Sequence, residues 1–458
     1  MGQDRTRGRH QGCRIGIMSR MPQFAPGFLW GASTSSYQIE GAPTADGKGT
    51  SIWDTFCHTP GKVLDGQTGD VACDHYRRWS SDLDLLPAVG CNAYRFSISW
   101  PRILPAGRGR VEQRGLDFYD KVVDGLLERG IAAFATLYHW DLPQALQDAG
   151  GWYSRATAEA FAEYAGVVAH RIGDRVSAFI TLNEPGVHVS LGHVLGTHAP
   201  GTHDLERVYW VIHHLMLGHG LAAQAVRSAC ETPVGVANNH APILPQDSSE
   251  RADILAAERM DLLFNRQYLD PLLIGSNPAD IEELYGPLAG QVVHDGDLAI
   301  IGSGLDFLGV NYYNPQWVKA GGPDNSLGFQ VVDAPADYLR TAFGWPVAPE
   351  NFTDVLLRLD NDYRLPPVYI TENGASWPEP VHDQFRIDFL DAHIRAVARA
   401  IDDGMDIRGF FCWSLMDNFE WAQGTSQKFG LVGVDFQTQR RTIRDSGRWF
   451  ADLAAGRL

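Results

Sequence analysis

Two glutamates in this sequence each stand where an apolar run ends. Glu184 lies in "TLNEP" and Glu372 lies in "YITENG". Burying a carboxylate is costly unless polar groups surround it, so both positions indicate a polar site rather than a core. Two carboxylates that face each other across a pocket can cleave a glycosidic bond, because one protonates the leaving oxygen while the other attacks the anomeric carbon or activates water.

Such a pair works only if the two pKa values are kept apart. Arg95 would hold the nucleophile ionised, and a more apolar setting at the Pro185 turn would raise the pKa of the acid. A separation of about 5 Å between the carboxyl groups gives retention of configuration, whereas about 6.5–9.5 Å gives inversion. The sequence leaves both outcomes open.

Further polar and aromatic residues follow or end other apolar runs. Each has an ordinary structural explanation when taken alone, as a turn residue, a salt-bridge partner or a core side chain. Most of them nevertheless lie at one predicted face, and this coincidence favours a shared pocket. They are Arg95, His139, Trp140, Asn183, Asn311, Tyr313, Trp413, Glu420 and Trp421.

Eight apolar runs with strand preference alternate with helical stretches along the chain. Their continuous apolar character predicts strands buried on both faces, as in a parallel sheet. Helices are predicted over 115–130 and over 386–404, where Ile387, Leu390 and Ile394 follow a period close to 3.6 residues. The predicted strands are 28–34, 93–99, 131–139, 176–184, 234–240, 305–313, 367–373 and 407–414.

Eight strands alternating with helices predict an α/β fold, a (β/α)8 TIM barrel. The main alternative is a doubly wound open sheet, but no GxGxxG follows an early strand. We expect one catalytic domain over residues 23–458, after a disordered basic tail over residues 1–22. The long spacings from the fifth to the seventh strand predict loop insertions at the carboxyl-end face, which would shape a deep pocket.

The composition limits the classes of partner. The formal net charge of −17 argues against nucleic acid and anionic membranes, since both need a basic face. Thirteen Trp, fifteen Tyr and twenty-one Phe make carbohydrate a candidate ligand, because sugar rings have apolar faces that stack on aromatic side chains.

The cysteines and the amino terminus bear on location. Six cysteines without CxxC or regular spacing favour reduced thiols in a cytoplasmic enzyme over a disulfide framework or a zinc site. Apolar runs are too short for a transmembrane helix, and the first twenty residues lack the apolar region of a secretory signal. We therefore expect no membrane association.

These motifs together resemble glycoside hydrolase family 1, the retaining β-glucosidases and β-galactosidases. The resemblance runs from about Phe24 to Phe450. Its segments occur in the family's order: "FLWGASTSSYQIEGA", "TGDVACDHYRRW", "AYRFSISWPRI", "TLYHWDLPQAL", "TLNEP", "FLGVNYY", "YITENGA" and "GFFCWSLMDNFEWAQG". "NEP" or "ENG" alone would be a weak signal, whereas the ordered set is specific.

The resemblance implies a role for each matched residue. Glu372 resembles the nucleophile and Glu184 the acid/base, with Arg95 and Tyr313 positioning the nucleophile near Asn311. The residues that resemble the family's sugar-hydroxyl ligands are Gln38, His139, Asn183, Glu420 and Trp421, with Trp413 as the platform under the sugar. Trp140 and Phe429 would line the pocket, Trp345 would form the aglycone wall, and Asn239 would add a polar group. No metal or organic cofactor is implied.

The implied activity is hydrolysis of small β-glycosides or short β-linked oligosaccharides, including steps of cellulose and polysaccharide degradation, by a possible homo-oligomer. An intact Glu420–Trp421 pair argues against 6-phosphosugars, and Glu184 argues against the thioglucosidase branch. Two alternatives are a mainly transglycosylating enzyme and a non-catalytic glycan-binding protein. The chain has Ile443–Arg444 where many members have Pro-Lys, a change expected to be structural and remote from the chemistry.

Overall fold

A computed structural model describes residues 21–322 and 327–458. The predicted tail therefore lies outside the described residues, except for Met21 and Pro22. Its strands are β1 (Leu29–Ser33), β2 (Ala93–Ser97), β3 (Ala132–Tyr138), β4 (Ala178–Asn183), β5 (Val234–Asn239), β6 (Ile243–Pro245), β7 (Phe307–Asn311), β8 (Gln316–Ala320), β9 (Phe329–Val332), β10 (Val368–Asn373), β11 (Ile407–Trp413), β12 (Val432–Val434) and β13 (Arg441–Ile443).

Eight of these strands form a closed parallel barrel in the order β1-β2-β3-β4-β5-β7-β10-β11. The barrel closes where β1 pairs with β11, from Leu29 opposite Gly409 to Ser33 opposite Trp413. All eight predicted strands are present, and the predicted TIM barrel is confirmed over the open sheet. The side chains of these strands are buried almost throughout, as expected for strands with covered faces on both sides.

An aromatic cluster fills the barrel interior, with Ala178 and Phe307 at the amino-terminal starts of their strands. Phe134 of β3 lies 5.0 Å from Phe411 of β11 and 6.3 Å from Phe307 of β7, measured between ring centroids. Ala178 and Ala237 complete the same layer, so large rings face small side chains across the barrel. This packed floor closes the barrel and leaves the carboxyl ends of the strands as the only open layer above it within the described residues.

Helices follow the barrel strands and cover their outer face. The two predicted helices are present at Gln113–Glu128 and Gln384–Asp402, each two residues earlier than predicted. The other α-helices are Ser36–Ile39, Ile52–Cys57, His75–Leu83, Leu85–Ala88, Trp100–Ile103, Gln144–Asp148, Arg155–Ile172, Pro185–Val189, Val208–Ala229, Arg251–Asp261, Gln267–Leu273, Ile281–Tyr285, Ala289–Val292, Asp297–Ile301, Pro349–Asp362 and Asp445–Ala454. None of the helices in the described part of the chain has the length and apolar character needed to cross a membrane.

The predicted insertions at the carboxyl-end face have their own structure. β6, β8 and β9 form a three-stranded sheet, in which β6 pairs parallel with β8 and β8 antiparallel with β9. β6 and β8 directly follow barrel strands β5 and β7, so this sheet stands beside the mouth. A hairpin of β12 and β13 lies in the segment that follows β11.

Candidate active site

The mouth of the barrel contains a cavity of about 480 Å³. This volume lies within the range of small-molecule sites. Ten predicted site residues line it, together with Asn239: His139, Trp140, Glu184, Tyr313, Trp345, Glu372, Trp413, Glu420, Trp421 and Phe429. Residues from strands far apart in the sequence thus meet in one pocket, because every strand of a parallel barrel points the same way.

Glu372, near the end of β10, is held by two strong donors. The guanidinium Nη1 of Arg95 donates to its Oε1 at 2.5 Å, and the phenol of Tyr313 donates to its Oε2 at 2.7 Å. Burial raises the pKa of this carboxyl, which is only 3% exposed, and the charge of Arg95 opposes that rise. Both contacts favour the ionised form, so Glu372 is the more readily ionised of the pair.

Glu184 follows the end of β4 and has a different environment. Its Oε1 accepts hydrogen bonds from the amides of Asn311 at 2.9 Å and Asn239 at 3.5 Å. Burial, followed by the negative charge of Glu372, raises the pKa of Glu184 to about 8. This carboxyl therefore carries a proton at neutral pH and can donate it.

A buried amide network joins the two carboxylates. The Asn311 amide donates both to Asn183 Oδ1 at 3.0 Å and to Glu184, and its own oxygen accepts from Thr371 Oγ1 at 2.6 Å. Asn183 Oδ1 also accepts from Arg95 Nη2 at 2.5 Å. Arg95 thus touches Glu372 with one nitrogen and the Glu184 side of the network with the other, which fixes the relative placement of the two acids.

A wall of aromatic and polar side chains stands beside the carboxylates. The ring of His139 lies nearly parallel to Trp413 and Trp421, with centroids 5.8 and 5.9 Å away. Glu420 accepts a hydrogen bond from Gln38 at 3.3 Å, and burial, followed by the charges of the two catalytic candidates, raises the pKa of Glu420 to about 8. A carboxyl group beside flat rings suits a sugar, which offers hydroxyls at its edge and C–H bonds on its faces.

Three residues of the site adopt backbone conformations that are rare for side chains with a Cβ. Trp140, Glu184 and Trp421 have φ values of 74°, 44° and 51°. Left-handed backbone of this kind costs about 1–3 kcal/mol and is concentrated at functional sites. The indole nitrogen of Trp140 donates to the Asn183 carbonyl at 2.8 Å, one contact that helps to hold this conformation.

Four predicted site residues lie behind the pocket wall rather than on it. They are Gln38, Arg95, Asn183 and Asn311, each at most 1% exposed. Arg95 was predicted to position the nucleophile and does contact Glu372. For the other three, direct contact with substrate stays a prediction, while their observed contacts are with residues that line the pocket.

The outer part of the pocket contains residues that were not predicted from the sequence. Predicted Trp345 stacks on Phe343 at 4.4 Å and meets Tyr313 at 5.3 Å, which forms an aromatic wall. The missed residues are Val187, Ser190, Leu191, Thr197, His198, Ala241, Phe264, Asn314, Gln316, Phe343, Ala422 and Gln423. Half of them lie in short helical segments that follow the barrel strands, where a few residues show no clear periodicity, although the "FGW" motif contained a signal for Phe343 because it places two aromatic residues close together.

The residues that the structure describes contain no candidate metal-binding site. No group of three or more His, Cys, Asp or Glu side chains there is arranged to hold a metal ion. The ionisable groups that donate hydrogen bonds to Glu372 are Arg95 and Tyr313.

A parallel barrel whose mouth holds one carboxylate paired with a cation and one protonated carboxyl, beside an aromatic and hydroxyl-binding wall, defines a glycosidase. Comparison with known proteins gives the family. The profile of Glycosyl hydrolase family 1 matches residues 20–457, nearly the whole chain. The chain belongs to this family, whose members retain the anomeric configuration.

Individual relatives agree over almost their full lengths. The chain is 46% identical to Beta-glucosidase A of Thermotoga maritima over 440 residues, 94% of this chain and 97% of the relative. It is 44% identical to a bifunctional beta-D-glucosidase/beta-D-fucosidase of Bifidobacterium breve over 460 residues, 94% and 98% of the two chains. The solved structure of the Thermotoga maritima family 1 β-glucosidase with isofagomine lactam matches with a TM-score of 0.91, 44% identity, and 96% and 100% coverage.

Proposed function

We propose that this glycosidase removes terminal non-reducing β-D-glucosyl residues, and also β-galactosyl or β-fucosyl residues, by double displacement. Glu372 would be the nucleophile and Glu184 the acid/base. The observation that carries these assignments is the difference in partners. Arg95 and Tyr313 stabilise the charge on Glu372, while Glu184 accepts hydrogen bonds from two neutral asparagine amides and has a pKa of about 8.

In the first step, a carboxylate oxygen of Glu372 bonds to the anomeric carbon while Glu184 transfers its proton to the glycosidic oxygen. The carbon–oxygen bond breaks, the aglycone leaves as a neutral alcohol, and the sugar remains as an ester of inverted configuration. The positive charge that develops on the sugar ring is stabilised by the buried carboxylate. Arg95 and Tyr313 keep that carboxylate in place for attack.

In the second step, Glu184 acts as a base. Ester formation removes the negative charge of Glu372, which is one of the causes that raise the pKa of Glu184. That pKa therefore falls in the intermediate, so Glu184 can accept a proton from water as the water attacks the anomeric carbon. The ester breaks, Glu372 returns to the carboxylate, and two inversions give net retention.

Both the pocket and the relatives support these sugars as substrates. Glu420, which Gln38 supports from behind, presents a carboxyl beside the Trp413 ring, which suits a neutral pyranose with free hydroxyls. The relatives include proteins named for glucosidase and for glucosidase/fucosidase activity. Their names are those of hydrolytic enzymes, which favours hydrolysis over transglycosylation and over non-catalytic binding.

The test is azide rescue of two variants on p-nitrophenyl β-glucoside. Glu372→Gly removes the nucleophile, so azide should attack the substrate directly and restore turnover with α-glucosyl azide as the product. Glu184→Ala keeps the nucleophile, so azide should attack the glycosyl-enzyme and give β-glucosyl azide. The configurations of the two azides, determined by NMR, assign the two roles independently.

Each result bears on a different part of the proposal. Opposite azide configurations to those expected would exchange the roles of Glu184 and Glu372. A wild-type enzyme that is inert on β-glucoside, β-galactoside and β-fucoside would contradict the substrate class. Glu379→Ala is the matched control, because Glu379 is another glutamate that lies outside the pocket lining, and it should keep wild-type turnover without azide.

We further propose that the enzyme works in the cytoplasm on short β-glycosides. Five free cysteines in the described residues, four of them buried, support a reducing compartment. A labelled full-length chain followed by fractionation in its own cells would test this location.

A further inference from the structure

Arg444 and Asp417 form a buried ion pair behind the sugar-binding wall. The guanidinium Nη1 and Nη2 of Arg444 donate to Asp417 Oδ1 and Oδ2, each at 2.8 Å. Arg444 is 2% exposed and Asp417 is 1% exposed. Two parallel hydrogen bonds between a guanidinium and a carboxylate fix orientation as well as distance.

Asp417 anchors the segment that follows β11. Its carboxylate also accepts from the backbone N–H of Gly430 at 3.0 Å and of Val434 at 3.3 Å, and its own N–H donates to the Val432 carbonyl at 3.0 Å. Arg444 Nη1 in turn donates to the Gly430 carbonyl at 2.6 Å. One arginine thus joins the segment 414–421 to the segment 429–434.

Both joined segments carry pocket residues. Glu420 and Trp421 follow Asp417 by three and four residues, and Phe429 directly precedes Gly430. The two segments are in direct contact, because a Cβ at Gly430 would lie 2.2 Å from the Asp417 nitrogen. With no space between them, a shift of Asp417 would be passed on to the residues that face the sugar.

Holding the Arg444 side chain in this place leaves one of its nitrogen donors unpaired among the described residues. Its Nε is buried without a hydrogen-bond partner, and an unpaired buried donor is unfavourable. A lysine at this position would offer a single ammonium and could not make the two parallel bonds. The residue that Arg444 holds, Asp417, lies three positions before Glu420 in the sequence.

We propose that Arg444 is a positioning residue for sugar binding, which acts by clamping Asp417 and thereby holding Glu420 and Trp421 at the pocket wall. This inference rests on the proposed function, because it assigns Arg444 to the same sugar site. The proposal predicts that the two parallel hydrogen bonds from Arg444 to Asp417, rather than the positive charge of Arg444 alone, set the affinity for the glycone.

The test is a double-mutant cycle between Arg444 and Glu420 on p-nitrophenyl β-glucoside. Arg444→Met should lower kcat/KM about 10- to 100-fold, mostly through a higher KM. Glu420→Gln should lower it by a similar factor. If Arg444 acts through Glu420, adding Arg444→Met to Glu420→Gln should cost less than about threefold more, because the two changes remove the same interaction.

Arg444→Lys serves as the conservative variant and as the fallback if Arg444→Met does not fold. It keeps the charge but not the paired bonds, so we expect an intermediate rise in KM and the same non-additivity with Glu420→Gln. Asp297→Asn is the control for general destabilisation, since it breaks a buried ion pair that has no contact with the pocket residues. It should lower Tm while KM stays at the wild-type value.

Several results would overturn the proposal. Multiplicative losses in the cycle, or Arg444 variants that lower Tm with KM unchanged, would reduce Arg444 to a structural role while the proposed activity stands. A lysine variant identical to wild type would show that the paired bonds have no effect on binding. A wild-type enzyme that is inert on all three β-glycosides would instead contradict the proposed function, and the positioning role of Arg444 would fall with it.

Discussion

At the scale of single residues, Glu184 and Glu372 are the same amino acid placed among different neighbours. A cation and a phenol stabilise charge on Glu372, whereas amides and the charge of Glu372 surround Glu184. Under the proposed roles, the surroundings of each glutamate separate the acid from the nucleophile, and this can be tested by changing one neighbour at a time.

The pH dependence should report the proton on Glu184. We expect kcat/KM to fall as pH rises through about 8, because the acid form of Glu184 is then lost. Glu372→Gln removes the nearby negative charge, so the pKa of Glu184 should drop below about 8 in that variant. Carbon-13 NMR of labelled glutamate measures that pKa directly, and an unchanged value would contradict the coupling.

Tyr313→Phe should weaken the hold on Glu372. The variant loses the phenol that donates to Glu372 Oε2 at 2.7 Å, and a hydrogen bond to a charged group contributes about 1.5–3 kcal/mol. We therefore expect kcat/KM to fall about 10- to 100-fold. The acidic limb of its pH profile should also move to higher pH, because the carboxylate form has lost a donor.

The neighbouring tyrosine provides the matched control for this prediction. The phenol of Tyr312 is also buried, but it donates to the Ala348 carbonyl at 2.7 Å and does not line the pocket. Tyr312→Phe should cost about 1 kcal/mol of unfolding free energy and leave the acidic limb in place. An equal shift of that limb in both variants would argue against a specific role for Tyr313.

At the scale of elements, Asp297 joins three helices outside the barrel. It begins helix Asp297–Ile301 and accepts from Arg155 at the start of helix Arg155–Ile172, at 2.6 and 2.8 Å. It also contacts His213 of helix Val208–Ala229 at 2.8 Å. Burial raises the pKa of Asp297, but the hydrogen bonds from Arg155, the His294 N–H and His213 outweigh burial and leave it below its usual value.

Asp297→Asn should therefore lower the unfolding free energy by about 1–3 kcal/mol at pH 7, since it removes a charged acceptor of two hydrogen bonds from Arg155, whose own side chain is partly exposed. A depressed pKa in the folded state adds stability above the unfolded pKa of about 3.9, and that stability is lost as pH falls further. The difference between wild type and variant should shrink below about pH 4 in urea titrations. Asp406→Asn, which breaks an exposed pair with Arg408, should cost less than about 1 kcal/mol.

The strands and helices were the most predictable part of this protein, because each depends mainly on the residues of its own short stretch of sequence. Strand β3 is a short apolar run, and β10 begins with alternating β-branched and aromatic residues, so the sequence alone located both strands. The two predicted helices begin two residues before their predicted starts, and only the first of them has a side-chain cap. In the first of them, the Glu112 side chain accepts from the Arg114 N–H, which hydrophobic periodicity does not register.

At the scale of the whole molecule, the barrel closes around one aromatic floor. Phe134→Ala should lower the unfolding free energy by about 3–5 kcal/mol, because the cavity opens against Phe307 and Phe411 at the centre of the barrel. Fluorescence and circular dichroism should show the same lowered denaturant midpoint. Phe343→Ala at the pocket mouth should cost about 1 kcal/mol or less, and an equal loss in both variants would contradict a central floor.

The sequence by itself determined the barrel, its eight strands and the residues that meet at its mouth. These follow from periodicity and strand ends, which are local features that parallel strands bring to one face. Only the tertiary structure decided that Arg95 also donates to Asn183, which predicted residues lie behind the wall, and that Arg444 reaches Asp417. Those facts depend on side-chain contacts between segments as far apart as Arg95 and Asn183, and no local pattern encodes the distances between them.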